Sequence, residues 1–162
     1  METKEILIKE LDSEKYFSDL FKLSKDFFYE YEYNNKNIFG IDSISEIDIT
    51  NYFRNFIGKE TSKAFVAIVD DELIGYITAY IKNQPNYWVV KKLGDISGLM
   101  VNQNFRQNGI GTKLVKKAIE YFEQNGIKYY TVFTSTNNID GIALYKKLRL
   151  KELCITFYGK IN

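Results

Sequence analysis

Hydrophobic positions along the chain follow two periods, and the changes between them mark out the elements. Ile6, Leu7 and Ile8 form a short β-rich run, after which Tyr16, Phe17, Leu20, Phe21, Leu23, Phe27 and Phe28 recur at helical spacing. That spacing predicts an amphipathic first helix over residues 13 to 30. Beyond the polar stretch Tyr33-Asn34-Asn35-Lys36-Asn37, a second short helix is predicted from Ser45, a good N-cap, through Ile49, Phe53 and Phe56 to Gly58. Ala64 to Val69 and Leu73 to Ile81 are β-rich runs around the acidic turn Asp70-Asp71-Glu72, which reads as a hairpin.

Pro85 ends the hairpin. After a loop carrying Trp88, Asp95 to Val101 reads as another strand, in which Gly98 marks a bulge or a close approach of something to the backbone. The helical period returns at Ile110, Leu114, Val115, Ala118, Ile119 and Phe122, and Asn125-Gly126 supplies its stop. Ile127 to Thr134 predicts a strand, Ile139 to Leu148 a short helix and Leu153 to Tyr158 a last strand. Hairpin strands followed by strand, helix, strand, helix, strand predict a mixed α/β (α+β) class, one sheet covered by helices rather than a doubly wound parallel fold. A length of 162 residues with a single Pro and no linker or repeat fits one domain, residues 1–162.

Composition narrows the chemistry. Hydrophobic residues make up 45% of the chain and charged residues 27%, which is globular, while 13 Tyr and 12 Phe are a surplus that serves a core or lines a cleft. The net charge of +1 selects neither nucleic acid nor membrane as a partner. There is no His, which removes Ser-His-Asp and Cys-His catalysis and the common zinc sets, so no metal is expected. Any general base is therefore another residue type. The single Cys154, within Leu153-Cys154-Ile155, allows no internal disulfide and reads as a small hydrophobe of the last strand. No apolar run approaches the roughly 20 residues of a membrane span, and Met1-Glu2-Thr3-Lys4-Glu5 lacks a signal-peptide pattern, so a cytoplasmic location is expected.

Between Val101 and Ile110 the chain passes from strand to helix through Asn102-Gln103-Asn104-Phe105-Arg106-Gln107-Asn108-Gly109. The unpaired N–H groups of a first helical turn, with the positive end of its dipole, suit phosphate oxygens. Gly109 and Gly111 permit a close approach, and Arg106 adds charge. Read alone, these residues describe an anion site or a simple turn. Lys113 and Leu114 stand where a dinucleotide fingerprint needs its third glycine, and the P-loop Gly-Lys-Ser/Thr is absent.

Arg106-Gln107-Asn108-Gly109-Ile110-Gly111 resembles the Arg/Gln-x-x-Gly-x-Gly/Ala motif of the GNAT N-acetyltransferases, placed as in that family between the fourth strand and the third helix. Asn138 to Leu150 is similar to the family stretch Asn-x-x-Ala-x-x-Leu-Tyr-x-x-x-Gly-Phe, with Asn138, Leu144 and Tyr145 in register. Gly141 replaces the Ala, and Arg149-Leu150 replaces Gly-Phe. The resemblance spans residues 60 to 160.

It implies a GNAT fold, a central, mixed and largely antiparallel sheet of about six to seven strands with about four flanking helices. It further implies acetyl-CoA as cosubstrate. Met100 and Val101 would offer backbone groups to the pantetheine, and the turn Arg106, Gln107, Asn108, Gly109, Ile110, Gly111 and Thr112 would hold the pyrophosphate. Asn138 would bond the pantetheine, cap its helix, or do both. Tyr145 occupies the family's general-acid position, protonating the leaving thiolate after a neutral amine attacks the thioester and a tetrahedral intermediate forms. For the base the options are Glu30, Glu32, Asp95 or a water chain, with Glu30 first. Phe28 to Tyr33 and Tyr87-Trp88 stand where the family takes its acceptor, a small-molecule or peptide amine. Exposed sheet edges near the last strand leave room for a homodimer. The alternative is a GNAT-shaped module that binds acyl-CoA without catalysis, as a sensor or interaction domain.

Overall fold

A computed structural model describes residues 5–161. Strand β1 (Leu7–Glu10) leads through a 3-10 turn into helix α1 (Phe17–Phe39) and then α2 (Glu46–Arg54). Three longer strands follow, β2 (Ser62–Val69), β3 (Glu72–Asn83) and β4 (Lys92–Val101). Helix α3 (Ile110–Gln124), strand β5 (Tyr130–Val132) and helix α4 (Ile139–Lys147) complete the order. The strands form one sheet in sequence order, β1-β2-β3-β4-β5. The first three pairings are antiparallel, and β4 meets β5 in parallel.

Alternation along β2 and β3 sends side chains to both faces of the sheet, and both faces are covered. On one side α1 and α2 bury Leu20, Phe53 and Phe56 against Val66, Tyr76 and Met100. On the other α3 buries Leu114, Val115 and Phe122 against Phe65, Ile77 and Ile96. Each such side chain contributes roughly 1.5–3 kcal/mol on burial, so the two layers are what fix the sheet's position between the helices. Ser45 caps α2 as expected, its hydroxyl accepting from the Asp48 amide at 3.2 Å.

Three expectations need correction. The first helix runs on to Phe39, with Tyr33, Lys36 and Asn37 exposed and Tyr31 against Phe39 at a ring distance of 4.9 Å. The strand expected over 127–134 shortens to Tyr130–Val132. The last strand, 153–158, does not form, so the described residues hold five strands rather than six to seven. Leu153, Ile155 and Phe157 stand 80%, 78% and 88% exposed, and Cys154 is exposed with them rather than packed as a small hydrophobe. Their alternation suits a strand, but no ladder partner meets it, and a strand without a partner leaves its backbone groups to water. Arg149 adopts φ +65° and the Leu150 amide bonds the Tyr145 carbonyl at 3.0 Å, closing α4 where the family pattern has Gly-Phe.

Candidate functional site

A bulge divides β4 into two halves. Its register against β3 shifts between Thr78 and Ala79, where Gly98 faces Thr78 and Ile96 faces Ala79, so Ser97 is the extra residue. On the other side β4 pairs with β5 only at Gly94, Asp95 and Ile96. Beyond Ile96 the two strands part, and the fork exposes one edge of β4. The antiparallel ladder decides which residues use that edge. The Asn102 amide donates to the Ile74 carbonyl at 2.8 Å, so by alternation Met100 and Gly98 also turn their backbone toward β3. Leu99 and Val101 turn theirs into the fork.

Met100, expected to offer backbone groups there, turns them toward β3 and buries its side chain, whereas Leu99, not among the expected residues, turns its backbone into the fork. Periodicity alone could not find Leu99, because the bulge resets which residues face the edge. Arg106 confirms where Val101 points, since its Nε donates to the Val101 carbonyl at 3.0 Å.

The fork opens toward the start of α3. Gln107 and Gly109 both take left-handed backbone, at φ +62° and +75°, and turn the chain into the helix. Gly109 provides no side-chain cap, the first turn holds no acidic residue, and the first helical bond runs from the Lys113 amide to the Gly109 carbonyl at 3.0 Å. The amides of Ile110, Gly111 and Thr112 therefore precede the helix's own ladder, as an anion requires. Asn108 does not line the cleft; its side-chain amide donates to the carbonyls of Phe105 and Arg106 at 3.2 and 3.1 Å and braces the loop. Gly111 allows α4 close: a Cβ there would lie 3.2 Å from Leu144 Cδ2.

Helix α4 forms the far wall. Asn138 caps it, accepting from the Gly141 amide at 3.0 Å and donating to Thr134 Oγ1 at 2.8 Å. A Cβ at position 141, where the family pattern has alanine, would sit 2.8 Å from Asn138 Cγ with the Asn138 side chain in this position. One turn on, burial pushes the Tyr145 phenol up to about 12, so it is a neutral donor throughout the physiological range.

These parts enclose one cleft of about 550 Å³. Met100, Val101, Arg106 and Gln107 reach it from β4 and its loop, Gly109 through Thr112 from α3, and Asn138 and Tyr145 from α4. Helix α1 adds Phe27, Glu30 and Tyr31; Glu30 and Tyr31 fall in the stretch expected at the acceptor site, while Phe27, which belongs to the apolar positions of the first helix, stacks on Tyr31 at 6.2 Å as an i, i+4 pair. Glu30 is held by Arg106, Oε1 to Nη2 at 2.6 Å. Neither Glu32 nor Asp95 lines the cleft. Asp95 is engaged by Lys82 at 2.6 Å and Thr131 at 3.3 Å, at the closed end of the fork.

A bare helix start beside an open strand edge suits a phosphate-bearing chain that continues along a strand. The chain matches the Acetyltransferase (GNAT) family over residues 17–149. It is 31% identical over 105 residues to an uncharacterized N-acetyltransferase of Archaeoglobus fulgidus, covering 65% of this chain and 71% of that protein. It is also 31% identical over 96 residues to human N-alpha-acetyltransferase 30, covering 59% of this chain but only 26% of that much longer protein. Among solved structures, aminoglycoside N-acetyltransferase AAC(6')-Iy in complex with CoA superposes with a TM-score of 0.77 at 17% identity, over 97% of this chain and 95% of that one. The BH1408 protein of Bacillus halodurans, as a tetramutant, gives 0.84 at 17% over 96% and 99%. The chain belongs to the GNAT acetyltransferase family.

Proposed function

We propose that the chain transfers the acetyl group of acetyl-CoA to the primary amine of a small molecule or peptide by direct attack. The observation that carries this reading is the junction of the forked β4 edge with the uncapped start of α3. The amides of Ile110, Gly111 and Thr112 and the open backbone of Gln107 and Gly109 suit the pyrophosphate, and the N–H and C=O groups of Leu99 with the N–H of Val101 suit the pantetheine amides, laid in as an added strand. The phosphate end is anchored at α3, so the thioester end points back along β4 to the fork. An amine nitrogen attacking the thioester carbonyl forms a tetrahedral intermediate, and its collapse breaks the C–S bond. Tyr145 protonates the leaving sulfur, a role that suits a phenol held neutral by burial.

The names of the relatives point to two acceptor classes, an N-terminal α-amine in one case and an aminoglycoside in the other. The test is release of free thiol from acetyl-CoA in the presence of a polyamine, an aminoglycoside and a peptide with a free N-terminus, with CoA binding followed by calorimetry. Amine-dependent thiol release supports the reading. CoA binding with no amine acetylated would move it to a non-catalytic acyl-CoA-binding module.

A further inference from the structure

We infer that the hydroxyls of Tyr52, Thr78 and Ser97 form the subsite that receives the acceptor's primary amine and leads its proton away, an assignment that rests on the acetyltransferase reading above. The three oxygens form a closed triangle: Tyr52 to Thr78 is 3.1 Å, Thr78 to Ser97 is 2.8 Å and Tyr52 to Ser97 is 3.4 Å. They come from α2, β3 and β4. Three hydroxyls have three hydrogens and six lone pairs, and with the Thr78 carbonyl also within 3.5 Å of Ser97 Oγ every hydrogen has a partner within the set and acceptor capacity is left over. Thr78 is fully buried and fixes the set from behind, while Tyr52 and Ser97 are open to solvent. What they present outward is an acceptor surface, complementary to an ammonium with three N–H donors.

Its place matters as much as its chemistry. Ser97 follows Ile96, the last residue of β4 paired with β5, and precedes by two residues Leu99, the first to turn its backbone into the fork. The triangle therefore stands at the closed end of the fork, where the thioester end of a CoA anchored at α3 would lie. Gly98 makes room for it, since a Cβ there would sit 3.0 Å from Thr78 Oγ1. The triangle lies on the sheet face covered by α1 and α2, whereas Leu144 and Leu148 of the Tyr145 helix pack with α3 on the opposite face. The amine and the general acid thus reach the thioester from different elements, α2 and the bulge of β4 for the one and α4 for the other.

The step balances with groups already named. An acceptor bound as an ammonium first gives one proton through Ser97 or Tyr52 to water. The C–N bond then forms as the freed nitrogen lone pair attacks, the C–S bond breaks, Tyr145 gives its proton to sulfur, and the second proton shed by nitrogen leaves by the same route to water, from which Tyr145 is reprotonated. Asp95, two residues before Ser97 on the same strand, adds negative charge nearby but is engaged by Lys82 at 2.6 Å. No carboxylate is needed at the nitrogen itself.

The test uses Tyr52→Phe, which keeps the ring contacts to Phe53 and Phe56, and Ser97→Ala, with Ser97→Thr as the variant that retains a hydroxyl. Amine kinetics are measured on an acceptor the unaltered protein acetylates, beside CoA affinity by calorimetry. Expected is a loss of about tenfold or more in kcat/KM for the amine in both hydroxyl-deleting variants, carried mostly in KM for Ser97→Ala, with CoA affinity within about twofold and Ser97→Thr near the unaltered protein. Amine kinetics within about twofold in both variants overturn the assignment while leaving the acetyltransferase reading intact. An unaltered protein that binds CoA but acetylates no amine overturns both.

Discussion

Arg106 Nη2 lies 2.6 Å from Glu30 Oε1, and this pair ties α1 to the loop between β4 and α3 across the mouth of the cleft. The same guanidinium holds the Val101 carbonyl through Nε. Two residues that sequence reading assigned to different tasks, a base and a phosphate ligand, are each other's partners. Their side chains are 51% and 30% exposed, so the pair contributes at most about 1 kcal/mol to stability. Glu30→Gln is expected to change the denaturation midpoint little and to tighten CoA binding, by up to about fivefold, because it removes a negative charge beside the phosphate site and frees Arg106. Calorimetric titration with CoA reads this directly. A kcat loss of a hundredfold or more would instead make Glu30 the base.

Tyr145 carries the second prediction. Tyr145→Phe keeps the ring and its packing and removes only the proton donor, so kcat is expected to fall by about 10²-fold or more with CoA affinity nearly unchanged. An acetyl donor whose leaving thiol has a lower pKa needs the acid less. The variant's deficit should shrink on such a donor, and a constant deficit would argue for a packing role.

How much of this was legible before the structure differs from part to part. The α3 turn was readable because its chemistry is local: a strand end, two glycines and a helix start lie within a dozen residues. Asn138 and Tyr145 were readable for the same reason, seven positions apart on one helix. Leu99 was not, because which residue faces the fork depends on a bulge whose register is set by β3. The contact of Glu30 with Arg106 and of Tyr52 with Ser97 joins residues 76 and 45 positions apart, which no local pattern reports. The last strand was misread because alternation says a segment can pair, not that an edge is there to receive it.

Gly109 gives a prediction in which conformation and function separate. A Cβ at this position would meet nothing within 4 Å, so Gly109→Ala costs only what φ +75° imposes on a side chain. That is about 1–2 kcal/mol. Chemical denaturation should show this loss, and CoA affinity should fall further than stability does, since relaxing φ re-aims the amides of the α3 turn.

Alkaline titration tests the buried phenols together. Tyr145 and Tyr121 are pushed by burial up to about 12 from the usual 10.0, and Tyr76 is raised as well, also by burial. Because the folded values lie above the unfolded one, the unfolded chain loses these protons first. The stabilisation is whole below pH 10.0 and is lost as pH rises toward about 12. Phenolate absorbance should therefore rise in two phases, exposed tyrosines first and the buried set together with unfolding. A single phase centred on the usual value would show that the phenols are not buried.

Gly141→Ala sets two known effects against each other. Alanine gains roughly 0.5–1 kcal/mol over glycine inside a helix. The added Cβ, however, would stand 2.8 Å from Asn138 Cγ, so the Asn138 side chain must leave the Gly141 amide and with it Thr134. A lost cap costs about 0.5–2 kcal/mol, and the hydrogen bond to Thr134 is lost on top of it. Cap and hydrogen bond together outweigh the propensity gain, so the variant should be less stable by about 1.5 kcal/mol, although the GNAT pattern itself carries alanine there. Restoring the balance requires removing the conflict: with Asn138→Ser, whose shorter side chain still caps, Gly141→Ala should become neutral or stabilising. A double-mutant cycle measured by denaturation gives the coupling between the two positions, and additive single effects would refute it.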